Sequence, residues 1–127
     1  MEQGIERLAA MVLLLTCLSH ITAPGAWRAL FDRIAGSDSP GLGTAAIHLP
    51  LGLLIVAFHN LWTWPALVFT IMGWALLVKG TLHLLFPQAA KRSLALPGEG
   101  AEAERRYRLA GILMAPMAGA LMWLAWA

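Results

Sequence analysis

The sequence predicts an all-α polytopic membrane protein with four transmembrane helices. Three observations predict it. Hydrophobic residues make up 59% of the 127 and charged residues 13%, where soluble domains have about 45–50% and about 25%. The apolar residues gather in four runs of roughly the 20 residues that a bilayer crossing needs. The Lys and Arg residues gather on alternate loops.

The four spans run from about Ile5 to Ala23, Leu42 to His59, Trp64 to Phe86 and Arg106 to Trp126. Together they make residues 1–127 a single integral membrane domain. The runs are too long for strands, show no period-two alternation and are rich in Leu and Ala. The first segment, MEQGIER, carries Glu2 and Glu6 against Arg7. It lacks the positive flank of a signal peptide, so a retained helix is expected. The lone Cys17 lies in an apolar run; it excludes an intramolecular disulfide and a cysteine-based metal site.

The charge pattern orients the spans. Arg28, Arg33, Lys91, Arg92, Arg105, Arg106 and Arg108 fall on the first and third loops, and Arg7 alone on the other side. Positive charge stays cytoplasmic, so both termini are expected outside, in the periplasm, with the chain in a bacterial inner membrane. Trp62, Trp64, Trp123 and Trp126 then form the outer aromatic belt, and Trp27 marks the inner interface. Trp74 falls mid-span, against a neighbouring helix. A net charge of +2 is too small for a nucleic-acid footprint.

The loops carry further expectations. Within GAWRALFDRIAG, Trp27, Leu30, Phe31 and Ile34 recur at helical spacing, with Arg28 and Asp32 on the other face. This predicts a short amphipathic helix over residues 26–35, lying on the membrane surface. Trp27 and Arg28 are placed at lipid headgroups. NLWTWP reads as a tight hairpin with Pro65 in the first turn of the third span. Glu102 with Arg106, and Glu104 with Arg108, are spaced for helical pairs.

The two halves share a layout. Each has a helix, a histidine, three residues, a proline, a basic segment and a second helix with an internal proline. His20 precedes Pro24 and His83 precedes Pro87; Pro50 and Pro116 are the internal prolines. Two-helix halves have the same topology, so this would be a parallel repeat about an axis along the membrane normal. It would place His20 and His83 across that axis, with His48 at similar depth.

Two readings of these histidines stand side by side. In one, each neutral ring satisfies a backbone carbonyl near a helix end. In the other, His20, His83 and His48 bind a cofactor, haem above all. No carboxylate in any span completes a metal set, so no metal site is expected. His59, beside Asn60, is expected to finish its helix at the outer interface. Lys79 is the one formal charge well inside a span. It either snorkels to headgroups or pairs with Asp32 or Asp38. Gly111, Ala115 and Gly119 form a ribbon of small residues where another helix can approach, within the bundle or from a second chain.

The segment Gly52–Pro87 holds His59, Asn60, Trp62, Trp64, Pro65, Gly73, Trp74, Lys79, Gly80 and Pro87. This HNxW…WP…GW…KG…P pattern resembles a group of small uncharacterised four-helix bacterial inner-membrane proteins. That group has no assigned activity, so the resemblance implies fold and location alone.

No nucleophile with a base, phosphate-cradling loop or carboxylate pair is present, so an enzyme is not expected. The first functional reading is a non-enzymatic accessory or assembly subunit of an inner-membrane complex, acting by helix–helix association. Its partners would be the lipid bilayer and other membrane subunits or a second copy, with no nucleic acid and no cofactor. The second is a haem- or metal-binding redox subunit using His20, His83 and His48. The third is a small oligomeric transporter or channel.

Overall fold

A computed structural model describes all residues, Met1–Ala127, as six helices without strands. Four are long and apolar enough to cross a membrane: α1 (Glu2–Thr22), α3 (Pro40–Phe58), α4 (Leu67–Leu85) and α6 (Gly100–Trp126). At about 1.5 Å per residue, the 19 residues of α3 and of α4 span roughly 28 Å, close to the thickness of a hydrocarbon core. The 27 residues of α6 exceed it, and the charged first turns from Glu102 to Arg108 are the excess.

Two short helices join the long ones at the end of the bundle remote from the termini. α2 (Pro24–Ala35) is the expected surface helix, begun by Pro24 at its first position. α5 (Pro87–Ala95) is its counterpart, likewise begun by a proline. The sequence marks this second segment only as a basic loop. A proline at the first helical position loses no hydrogen bond and arrives with a helical φ. Pro24 and Pro87 therefore end one helix and start the next.

The helices pack as two close pairs, α1 on α6 and α3 on α4. The pairing follows the expected repeat. An offset of 63 residues carries His20 to His83 and Pro24 to Pro87, and an offset of 66 carries Pro50 to Pro116. Under these offsets α1, α2 and α3 become α4, α5 and α6, and the α1–α6 pair maps onto α4–α3.

The seams obey the same mapping. Ala10 and Cys17 on α1 correspond to Gly73 and Gly80 on α4. Ala45 and Gly52 on α3 correspond to Gly111 and Ala118 on α6. All eight are buried. Small residues let backbones approach, and this matters in lipid, where packing drives association. A Cβ added at Gly111 would sit 2.8 Å from the Cys17 carbonyl oxygen, and one at Gly52 would sit 2.7 Å from the Leu77 nitrogen.

The ribbon expected from Gly111, Ala115 and Gly119 needs correction as a contact within the bundle. Gly111 is in the seam and Ala115 is half-buried, but a Cβ added at Gly119 would meet nothing within 4 Å. At about 100° per residue, a spacing of four drifts roughly 40° each step. A spacing of seven returns within about 20°. The buried line on α6 is accordingly Gly111, Ala118 and Ala125.

The end bearing the termini is tied by polar contacts. Trp62, Trp64, Trp123 and Trp126 are all exposed there, as an aromatic belt requires. Arg7 lies over the Trp126 ring, 5.3 Å from its centroid, and its Nε donates to the Ala125 carbonyl at 3.3 Å. Pro65 stands before α4, after a cis Trp64–Pro65 bond, and so is not in the helix's first turn. Trp74 does not pack mid-span alone: it is 39% exposed and its Nε1 donates to Asn60 Oδ1 at 3.1 Å.

Candidate functional site

A cavity of about 560 Å³ lies between the two helix pairs, and all six helices contribute to its wall. That volume is within the roughly 300–1,000 Å³ of small-molecule sites. Its wall follows helical periodicity. α1 contributes Val12, Leu13, Thr16 and His20, and α4 contributes Ala75, Leu76, Lys79 and His83. These residues correspond by the offset of 63, while Met72 on α4, Ile47 on α3 and Tyr107 on α6 line the cavity without a lining counterpart. α3 contributes Thr44, His48 and Leu51, and α6 contributes Ala110, Met114 and Met117, related by the offset of 66. The cavity therefore lies where positions matched by the two offsets meet.

The three histidines expected to converge all line this cavity, in the half near α2 and α5. His20 and His83 are in the last turns of α1 and α4. His20 is 8% and His83 7% exposed. The Nδ1 atoms of two rings reach back to their own helices. His20 Nδ1 is 2.8 Å from the Thr16 carbonyl oxygen, and His48 Nδ1 is 2.7 Å from that of Thr44. A carbonyl only accepts, so each Nδ1 carries the proton. Nε2 is then the nitrogen left for another partner. His83 Nδ1 is buried without a partner. The His48 and His83 rings meet edge to face, centroids 6.2 Å apart.

The opposite wall is aromatic. His20 stacks on Trp27 at 4.2 Å, Trp27 meets Phe31 at 5.6 Å, and Phe31 stacks on Tyr107 at 5.6 Å. Trp27 Nε1 donates to Ser19 Oγ at 2.9 Å, and Ser19 donates to the Thr16 carbonyl. Trp27 is thus part of the cavity wall, with its one donor already used. Arg28 is also engaged: its guanidinium lies 3.2 Å from Glu104 Oε1 on α6. That contact takes the place of the Glu104–Arg108 pair. Glu102 does pair with Arg106, at 2.9 Å. Phe31 and Ile34 are half-buried as expected for the inner face of α2, while Leu30 is 41% exposed.

Lys79 lines the cavity one turn before His83 and forms no ion pair, with Asp32, Asp38 or any other carboxylate. It is the only formal charge on the wall, and no Asp or Glu joins it. No group of three or more His, Cys, Asp and Glu side chains is close enough to hold a metal ion.

A second polar cluster, at the end bearing the termini, is not apparent in the sequence. His59 is fully buried, and its Nε2 lies 2.7 Å from Glu6 Oε1. The His59 backbone N–H closes α3 on the Ile55 carbonyl at 2.7 Å. The Thr70 hydroxyl reaches the carbonyls of His59 at 3.1 Å and Leu61 at 2.7 Å, and accepts the Leu61 N–H at 3.1 Å. His59 does finish its helix, as expected, but its ring joins α3 to α1. The available signal is Glu6, an acid one turn into an apolar helix.

Comparison with known proteins returned no matching family, no matching curated protein and no matching solved structure.

Proposed function

We propose that this chain is a small non-catalytic subunit of a bacterial inner-membrane complex that holds a membrane-soluble ligand in its central cavity. The convergence of all six helices on one wall carries this reading. The rings of His20 and His48 each satisfy a backbone carbonyl, but His83 Nδ1 and Lys79 have no partner at this wall, and ionisable groups at membrane depth are costly. Little of the chain lies outside the membrane, which favours a subunit that acts through lipid-embedded surfaces. The open face of α6 around Gly119 offers a flat approach for a helix of another subunit or of a second copy. The basic end bearing α2 and α5 is assigned to the cytoplasm and both termini to the periplasm.

A second reading is favoured by one observation. His20 and His48 each donate Nδ1–H to a backbone carbonyl, as imidazoles that ligate a metal at the other nitrogen commonly do. Haem held by His20 and by His48 or His83 would use that arrangement. The test is to purify the protein in mild detergent, record its absorbance spectrum and extract it with organic solvent. A lipid-soluble molecule in stoichiometric amount without a haem band supports the first reading. A haem band replaces it with the second. An empty extract and a clean spectrum contradict both.

A further inference from the structure

We propose that the cavity selects an acidic amphiphile, an acyl chain ending in an anionic oxygen head, with the head held by Lys79 beside His48 and His83. The inference rests on the binding reading above and adds the chemistry of the ligand.

The pseudo-twofold relation shows where the wall departs from symmetry. His83 corresponds to His20 and Leu76 to Leu13, but Lys79 corresponds to Thr16 and His48 to Met114. Both departures place a nitrogen-bearing side chain on the α3–α4 wall, next to His83. The α1–α6 wall opposite has Thr16, Met114 and the His20–Trp27 stack. The α3–α4 wall therefore holds the one cation and the unpartnered His83 Nδ1, while the wall opposite is mainly aromatic and aliphatic around His20 and Thr16.

The cationic wall lacks a counter-charge. Lys79 is an exposed residue that lines the cavity mouth, it has no carboxylate partner, and none lines the cavity. A charge kept at membrane depth is ordinarily paired. His83 adds a polar side chain, 93% buried by its 7% exposure, whose Nδ1 has no hydrogen-bond partner. An anionic oxygen would satisfy both at once, accepting from the ammonium and from an imidazole N–H. Away from these groups the wall is Leu51, Met72, Leu76 and Met117. Methionines are unbranched and adaptable, which suits a chain of methylenes. Carboxylate and phosphate heads share the required chemistry.

The test uses the full chain in mild detergent with four probes, measured by native mass spectrometry. Palmitate, hexadecyl phosphate and hexadecanol share a chain length and differ in head; inorganic phosphate has the head alone. A charge-assisted hydrogen bond is worth about tenfold in affinity or more. Palmitate or hexadecyl phosphate is expected to bind about tenfold more tightly than hexadecanol, and the stronger of the two identifies the head. Inorganic phosphate is expected not to bind. Lys79→Met should abolish the preference, while Thr16→Met, at the corresponding position, should keep it. Equal binding of all three chains by the wild type overturns the head assignment and leaves the binding reading intact. So does a preference that survives in Lys79→Met. Failure of every chain to bind overturns both. Binding of inorganic phosphate alone overturns the amphiphile.

Discussion

His59 illustrates how a residue's neighbourhood escapes a linear reading. In FHNLW it sits beside a polar hairpin, and the spacing places it near water. The fold instead brings α1 across it, so that Glu6 becomes its partner over 53 positions. No periodicity links two residues that far apart. Leaving a buried polar group without its partner costs about 1–3 kcal/mol. Glu6→Ala and His59→Ala should each lower thermal stability in detergent by that order. The double mutant should lose less than the sum, since contacting residues couple. Additive losses would show that the pair does not act as a unit. The glycines of α6 give a second test. Gly111→Ala meets the Cys17 carbonyl at 2.8 Å, whereas Gly119→Ala meets nothing. Overpacking costs about 1–3 kcal/mol. Gly111→Ala should therefore destabilise the isolated chain, and Gly119→Ala should leave it unchanged. Equal effects would contradict the seven-residue seam.

Among the elements, the long helices are legible because hydropathy and length are local properties. The four spans differ from the expected ones mainly at their starts, by three residues at Glu2, three at Leu67 and six at Gly100. α2 is legible because Trp27, Phe31 and Ile34 repeat at helical spacing. α5 has only Leu94 as a large apolar residue among its nine, so no stripe marks it. Its proline start and its place in the repeat are the only cues. The role of α2 is the harder part. Its aromatic residues face His20 and Tyr107, so the helix closes a cavity as well as covering a surface. Trp27→Ala removes a stacked ring and a hydrogen bond to Ser19. It should cost on the order of 2 kcal/mol. Arg28→Ala breaks an ion pair whose side chains are 35% and 39% exposed, and such pairs contribute about 1 kcal/mol or less. Thermal unfolding of the two variants checks the order, and a larger loss in Arg28→Ala would contradict it.

For the whole molecule, the pairing of α1 with α6 and of α3 with α4 frames both the packing and the site. The two helix pairs leave a gap between them, and every helix has a face on it. Three histidines and a lysine at comparable depth are visible in the sequence. The pairing of α1 with α6 and α3 with α4 is not, because helix partners in lipid are chosen by small residues that look alike in a string. Orientation is tested by labelling. Glu2→Cys should react with a membrane-impermeant thiol reagent from the periplasm, and Pro97→Cys should not. Reaction of the second alone would invert the topology. The central claim is that the cavity between the helix pairs is occupied in the membrane. Ala110 lines it on α6, and Ala110→Trp fills it with a side chain. The most direct measurement is native mass spectrometry of the wild type and of Ala110→Trp, purified alike and matched for thermal stability. The wild type should retain a bound small molecule near one per chain, and the variant should retain little or none. A wild type with no adduct, or an adduct equally abundant in both, would contradict the claim.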